Sequence, residues 1–111
     1  PQIIPDALKD LRVLVVDDHY INRLVLSDLL GAWGCQVQAF ESGLEAVKVA
    51  AEAEHPFDVV LMDMMMPDLD GVETALRIRE QARHCKTPIL LLSSVGVPSG
   101  RAEAQTSFTP A

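Results

Sequence analysis

Short apolar stretches of strand length alternate along the chain with longer segments of helical periodicity. The apolar stretches lie at residues 12–16, 35–40, 57–62 and 89–92. Apolar side chains recur every three or four positions over residues 20–33, 42–51 and 70–79. This pattern predicts the element order β-α-β-α-β-α-β, which is typical of a parallel sheet with right-handed crossover helices on both faces.

Three sets of residues predict where the helices begin and end. Gly34 follows the first periodic segment and suits a C-terminal cap. Ser42 and Glu45 have the spacing of a capping box, and so do Asp70 and Glu73. The second helix is therefore expected to begin beside Ser42 and the third beside Asp70.

The two ends of the chain lack this pattern. Residues 1–10 contain two prolines and no periodicity, which favours a linker, and residues 11–111 are assigned to one domain. Beyond Val95 the residues become small and polar, with a weak helix at most near Ser99 and no further strand.

Composition narrows the possible functions. A chain of 111 residues suits one domain, and a net charge of −7 disfavours direct binding to nucleic acid. Cys35 and Cys85 form no CxxC pair, and His19, His55 and His84 do not cluster at ligand spacing. No apolar run has the length of a membrane span and no signal peptide opens the chain, so we expect a cytoplasmic domain without direct membrane contact.

Polar residues stand where three of the predicted strands end. Asp17 and Asp18 follow the first strand, Asp63 the third and Ser93 the fourth. In an open α/β sheet this edge binds ligands, and clustered carboxylates are commonly neutralised by a hard divalent cation. A cation beside a free carboxylate suits phosphoryl transfer to an aspartate. Taken alone, Asp17 and Asp18 would favour a helix N-cap pair, but beside Asp63 and Ser93 they favour a metal site.

Three sequence segments resemble one family. They are residues 15–18 (VVDD), 63–71 (DMMMPDLDG) and 88–94 (PILLLSS). In this order and spacing they are similar to the receiver domain of bacterial two-component response regulators. Residues 18–23 (DHYINR) are most like the receivers of hybrid sensor histidine kinases. The resemblance implies a flavodoxin-like, doubly wound α/β fold with strand order 2-1-3-4-5.

The same resemblance implies a magnesium-dependent phosphoacceptor site. Asp63 would be the phosphoacceptor, and Mg²⁺ or Mn²⁺ would be the cofactor. Asp18 and Asp63 would bind the metal directly, Asp17 mainly through water, and Met65 through its backbone carbonyl oxygen. The domain would catalyse its own phosphorylation without being a turnover enzyme by itself.

Family roles also extend to the fourth strand and to partners. Ser93 would be the switch hydroxyl and Ser94 the small residue beside it. The phosphoryl group would come from a histidine kinase or a histidine phosphotransfer domain, and the receiver would switch a partner or output domain. As part of a hybrid kinase it would lie on the cytoplasmic side of the inner membrane.

One departure from the family concerns the fifth βα unit, which carries a lysine that pairs with the phosphoryl group. The lysines here are Lys9, Lys48 and Lys86, and none follows a predicted strand. We therefore expect the fifth unit to be absent and the fourth strand to be an exposed edge open to self-association. A pseudo-receiver, which keeps the fold as an interaction module without phosphorylation, is the alternative.

Two other functional classes are excluded because the motifs that define them are absent from the sequence. A dinucleotide-binding protein would carry GxGxxG after the first strand, and none is present. A phosphatase or mutase with an aspartyl nucleophile would carry a DxD strand end, whereas Asp63 is followed by Met64 and Met65.

Overall fold

The computed structural model describes residues 8–93 and 103–108, which contain a five-stranded sheet. The strands are β1 (Arg12–Val16), β2 (Gln36–Phe40), β3 (Val59–Asp63), β4 (Ile89–Ser93) and β5 (Glu103–Phe108). The helices are α1 (Tyr20–Ala32), α2 (Gly43–Glu52) and α3 (Gly71–Arg79), and a short 3-10 helix (Ala82–His84) precedes β4. The predicted β-α-β-α-β-α-β order is confirmed. Position 99, where a weak helix was expected, lies outside the described residues.

The sheet has the strand order β2-β1-β3-β4-β5, and its first four strands are parallel. In the centre, Val15 of β1 pairs with Ala39 of β2 and Leu61 of β3. Asp63 pairs with Leu92 of β4. Parallel pairing brings the carboxyl ends of β1, β3 and β4 to one edge of the sheet, as the strand-end residues predict.

The fifth strand corrects two predictions. We expected no strand after β4 and an exposed fourth-strand edge, but β5 pairs with β4 in the antiparallel direction from Ile89 opposite Phe108 to Ser93 opposite Glu103. The nine-residue connection, 94–102, is shorter than the dozen or more residues that a parallel crossover requires. The chain therefore turns back along β4, and β5 becomes the edge strand.

Apolar side chains pack on both faces of the sheet, but unequally. The larger core lies under α2 and α3 and includes fully buried Leu14, Val60, Met62 and Leu91. The smaller core lies under α1 and is built around Val13, Val15 and Cys35. Leu8 and Leu11 also pack against the smaller core.

Helix α1 leaves much of its broad apolar surface exposed. None of its residues is fully buried, although Leu26 and Leu30 pack against the smaller core. Its exposed large apolar residues are Tyr20, Ile21, Leu24, Val25 and Leu29. A helix with apolar residues around more than half of its circumference can turn only part of them toward one sheet face. Among the described residues, no helix is long and apolar enough to cross a bilayer.

The predicted helix boundaries are confirmed at atomic detail. The Ser42 hydroxyl accepts a hydrogen bond from the Glu45 N–H at 3.2 Å, and the Asp70 carboxylate accepts one from the Glu73 N–H at 2.8 Å. Gly34 follows α1 with a φ of 90°, in the left-handed region that favours glycine. Local sequence therefore defines the ends of these helices.

Candidate functional site

Two adjacent parallel strands bring three carboxylates together. Asp17 and Asp18 follow β1, and Asp63 ends β3, which pairs with β1 up to Val16 opposite Met62. One ligand atom from each of these three acids and one from His19 lie within 4.8 Å of one another. The acidic site, as we call this group of four residues, contains the three carboxylates that the sequence predicted to meet.

Asp63 is the most confined of the three acids. Its side chain is 8% exposed, and its Oδ1 accepts a hydrogen bond from the Met65 N–H at 3.2 Å. Its Oδ2 is buried and has no hydrogen-bond partner among the described residues. Burial, followed by the negative charges of Asp17 and Asp18, raises the pKa of Asp63 to about 6, against the opposing effect of the Met65 N–H.

Asp17 is fixed by hydrogen bonds from the residues that follow it in sequence. Its Oδ1 accepts the His19 backbone N–H at 2.8 Å, and its Oδ2 accepts Asn22 Nδ2 at 3.2 Å. The Arg23 guanidinium donates to its backbone carbonyl at 2.8 Å. Both carboxylate oxygens of Asp17 thus have partners from the protein, so its orientation is fixed by these hydrogen bonds.

The alternative role of Asp17 and Asp18 in capping α1 does not fit the geometry. The N-cap residue of α1 is His19, and no side-chain hydrogen bond caps the helix there. Asp18 instead has a buried Oδ1 with no hydrogen-bond partner in the described part of the chain. The carboxylate is therefore available for a cation.

His19 is the site residue that the sequence analysis missed. Its Nδ1 lies 3.0 Å from Asp17 Oδ1, 3.1 Å from Asp18 Oδ1 and 3.8 Å from Asp63 Oδ2. The hydrogen bond to Asp17, together with the nearby carboxylate charges, raises the pKa of His19. The spacing of the three histidines does not indicate a metal site. The position of His19 directly after two acids at a strand end is the feature that could have identified it.

The remaining predicted site residues border this group or lie beyond it. Met65 is 60% exposed, and its backbone follows Asp63 into the loop. Ser93 is the last residue of β4, one position after the Leu92 that pairs with Asp63, so its backbone lies at the same sheet edge. Ser94 lies outside the described residues.

The loop after Asp63 is anchored at two points. Asp68 accepts hydrogen bonds from the Ser42 hydroxyl at 2.6 Å and the Leu44 N–H at 3.1 Å, and these bonds, led by that of Ser42, lower the pKa of Asp68 to about 2. Gly71 donates its N–H to the Met64 carbonyl at 2.9 Å. A Cβ on Gly71 would collide with the Asp63 carbonyl oxygen, so glycine is needed for this close approach.

The chemistry of the site suits a hard divalent cation. Its donors are carboxylate oxygens, and two of these, Asp18 Oδ1 and Asp63 Oδ2, are buried with no hydrogen-bond partner among the described residues. Buried carboxylate oxygens without a hydrogen bond are costly, and a cation would satisfy both. The pKa of Asp63 is raised by burial first and by the neighbouring carboxylates second, and a bound cation would offset both effects.

A family model described as the response regulator receiver domain matches residues 13–106, most of the chain. The chain belongs to the response regulator receiver domain family. This assignment confirms the resemblance and the receiver function in two-component signalling, and it agrees with the flavodoxin-like order of the four parallel strands.

Curated relatives include both kinases and separate response regulators. Over 75 residues, which are 68% of this chain and 8% of the relative, the receiver domain is 41% identical to the sensor histidine kinase RcsC of Salmonella typhimurium. Over 95 residues, it is 43% identical to the two-component response regulator ORR41 of Oryza sativa subsp. japonica, covering 84% of this chain and 73% of that protein. The chain thus spans a small part of one relative and most of the other.

Solved receiver structures share the fold. The receiver domain of the histidine kinase CKI1 from Arabidopsis thaliana, complexed with Mg²⁺ and BeF₃⁻, superposes with a TM-score of 0.73 at 33% identity, covering 85% of this chain and 72% of that one. The Vibrio cholerae chemotaxis protein CheY4 gives a TM-score of 0.71 at 35% identity, covering 79% and 72%.

Proposed function

We propose that this receiver domain accepts a phosphoryl group on Asp63 with Mg²⁺ or Mn²⁺ bound at the acidic site. The observation that supports this proposal is the buried Oδ2 of Asp63, which lies beside Asp17 and Asp18 and has no hydrogen-bond partner among the described residues. Magnesium complexes of receiver relatives support the choice of metal. Asp18 and Asp63 are the direct protein ligands and the Met65 carbonyl completes the set. Asp17 acts through water because both of its oxygens already accept hydrogen bonds.

The phosphoryl donor is a phosphohistidine of a histidine kinase or a histidine phosphotransfer domain. A carboxylate oxygen of Asp63 forms the new O–P bond as the donor's N–P bond breaks, and the donor imidazole leaves with the electron pair and takes up a proton. The cation, when bound, neutralises charge on the transferred group. The Met65 N–H orients the Asp63 carboxylate through its hydrogen bond to Oδ1.

Phosphorylation is then passed to a partner or output domain through the end of β4. Ser93 is the switch hydroxyl in this proposal, and Ser94 leaves space for the phosphoryl group. The domain comprises residues 11–111, follows a linker of residues 1–10, and forms part of a hybrid histidine kinase. The 41% identity with the sensor histidine kinase RcsC supports that last assignment.

The test is phosphorylation by acetyl phosphate and by a phosphorylated histidine phosphotransfer domain. We expect a base-labile adduct that requires Mg²⁺ or Mn²⁺, is lost in Asp63→Asn and is strongly reduced in Asp18→Ala. Asp28→Asn, on the exposed surface of α1, is the matched control and should be labelled normally. Labelling of Asp63→Asn at wild-type level would disprove the assignment.

A pseudo-receiver remains the second candidate because of one observation. None of the three lysines lies at the carboxyl edge of the sheet, since Lys86 precedes β4, Lys48 lies in α2 and Lys9 precedes β1. Tight metal binding without any adduct at Asp63, from either donor, would favour this candidate.

A further inference from the structure

A nitrogen atom lies within the group of oxygens that the proposed function assigns to the metal. His19 Nδ1 is 3.0 Å from Asp17 Oδ1 and 3.1 Å from Asp18 Oδ1. It is 3.8 Å from Asp63 Oδ2, which is buried and unpartnered in the described residues. An imidazole among acidic oxygens changes the set of ions that a site prefers.

These separations match a shared coordination sphere. Metal–ligand bonds of about 2.0–2.2 Å place neighbouring ligand atoms about 3 Å apart and opposite ones about 4 Å apart. His19 Nδ1 lies 3.1 Å from Asp18 Oδ1 and 3.8 Å from Asp63 Oδ2, the oxygens of the two direct ligands, and both distances fall between these values. The His19 side chain is 60% exposed and therefore has room to rotate toward a cation held by the carboxylates.

The backbone around His19 supports this placement. Its N–H donates to Asp17 Oδ1 at 2.8 Å, and its carbonyl accepts the Arg23 N–H at 3.1 Å. The residue therefore begins α1 at a fixed position beside the carboxylates. Its side chain makes no cap hydrogen bond to the helix, so α1 does not need the imidazole.

We propose that His19 is a nitrogen ligand of the divalent cation in this receiver domain and gives its site a preference for first-row transition-metal ions such as Co²⁺ and Ni²⁺, while Mn²⁺ can also bind. The proposal rests on the metal site of the proposed function and adds a ligand to it. Oxygen ligands alone suit Mg²⁺, whereas imidazole binds first-row transition metals well. His19 would thus widen the choice of metal beyond magnesium.

The first test detects the nitrogen directly. Mn²⁺ bound to the wild-type domain is examined by pulsed electron paramagnetic resonance, in which a ligated imidazole nitrogen modulates the electron spin echo. We expect this modulation in the wild type, its loss in His19→Gln and its retention in His55→Gln. His55 is also exposed, lies after α2 and is outside the acidic site, so it is the matched control.

The second test compares affinities for Ni²⁺ and Mg²⁺ by titration. Loss of outer-sphere partners of metal ligands already weakens metal binding about 10- to 100-fold, and loss of a ligand should weaken it at least as much. We expect His19→Gln to lose at least about tenfold in Ni²⁺ affinity, with a much smaller change for Mg²⁺. His55→Gln should change neither affinity.

Two results would overturn the proposal, and they differ in what else they affect. Mn²⁺ that binds tightly without nitrogen modulation, with equal Ni²⁺ and Mg²⁺ effects in His19→Gln, would remove His19 from the ligand set and leave the acidic site intact. Failure of Mn²⁺ to bind the wild type, with Asp18→Ala indistinguishable from it, would remove both the ligand and the metal site of the proposed function.

Discussion

The buried position of Asp63 favours the reactivity of its carboxylate but lowers the stability of the folded protein. Its carboxylate is buried beside two other acids, and its pKa is raised to about 6 from 3.8 by burial first and by these charges second. Between those two pH values the folded protein binds the proton more readily than the unfolded chain does. Stability therefore falls as pH rises from about 4 to 6, and the loss is complete at neutral pH.

Replacing this charge should stabilise the metal-free protein. Asp63→Asn is expected to raise the free energy of unfolding by about 1–2 kcal/mol at neutral pH, less than the full pKa shift implies because the cleft is partly open to water. Urea unfolding in a chelator measures the change, with Asp28→Asn as the control. Equal free energies of unfolding for Asp63→Asn and the wild type would show that the ionised carboxylate does not destabilise the fold.

A second buried titratable residue, His84, lies at the opposite end of the strands. Its Nε2 accepts the Phe57 N–H at 3.0 Å, and its Nδ1 is 3.0 Å from Gln81 Oε1, which assigns the proton to Nδ1. Gln81 Nε2 in turn donates to the Val47 carbonyl at 3.0 Å. Burial, and secondarily the positive charge of Arg83, lowers the pKa of His84.

The neutral form of His84 should make the fold sensitive to acid. Since the unfolded chain protonates near the ordinary value of 6.5 and the folded one only below it, stability is full above 6.5 and falls as pH decreases through that value. His84→Gln should lower Tm at neutral pH, because it removes a buried ring, but should flatten the decline below 6.5. Thermal melts across this range, with His55→Gln as the control, provide the measurement. An unchanged slope in His84→Gln would assign the acid sensitivity to other groups.

At the scale of elements, hydrogen bonds join the loop after β3 to the N-terminus of α2. Asp68 accepts hydrogen bonds from the Ser42 hydroxyl and from the N–H groups of Gly43 and Leu44. Ser42 itself accepts the Glu45 N–H. The N-terminus of α2 is therefore capped both by its own residue and by the loop that follows Asp63, which ties the helix to the acceptor strand.

A double-mutant cycle should reveal this connection. Asp68→Ala and Ser42→Ala are each expected to destabilise the domain by about 1 kcal/mol, the usual magnitude of a lost cap. Because the two side chains share a 2.6 Å hydrogen bond, the double mutant should lose less than the sum. Urea unfolding of the four proteins gives the coupling free energy. Full additivity would mean that the two caps act independently.

At the scale of the whole molecule, the sheet has one well-covered face and one face that α1 covers only in part. Val60, Met62, Ile89 and Leu91 are buried under α2 and α3. On the α1 side, the intervening residues are only partly buried, among them Val59, Leu61, Leu90 and Leu92. Pairing with β5 satisfies the backbone of β4 along its outer edge, which would otherwise be a template for association.

Disrupting β5 should therefore expose the edge of β4. Thr106→Pro places a residue without an N–H opposite Leu91, in the middle of the antiparallel pair, and should weaken the pairing. We expect faster amide exchange in β4 and larger particles by light scattering. Thr106→Ala keeps the backbone donor and is the matched control. A monomeric Thr106→Pro protein with unchanged exchange would show that β5 does not protect β4.

Many features of the fold and of the acidic site could be predicted from residues close together in sequence. Apolar runs predicted β1 to β4, the capping residues predicted where α2 and α3 begin, and the carboxylates after β1 and β3 predicted the acidic site. These predictions succeeded because strand length, helix periodicity and capping depend on neighbouring residues. The parallel order then required that the strand ends share one edge.

Three features depended on contacts between distant segments. The direction of β5 follows from the short connection after β4 and the open edge it must pair with. The position of His19 within reach of Asp63 depends on the pairing of β1 with β3, and the hydrogen bonds of His84 join residues from separate elements. Sequence alone determined the elements and the acids at their ends, because these follow from local periodicity. Tertiary structure decided which atoms meet, because atoms distant in sequence become neighbours only when the sheet has formed.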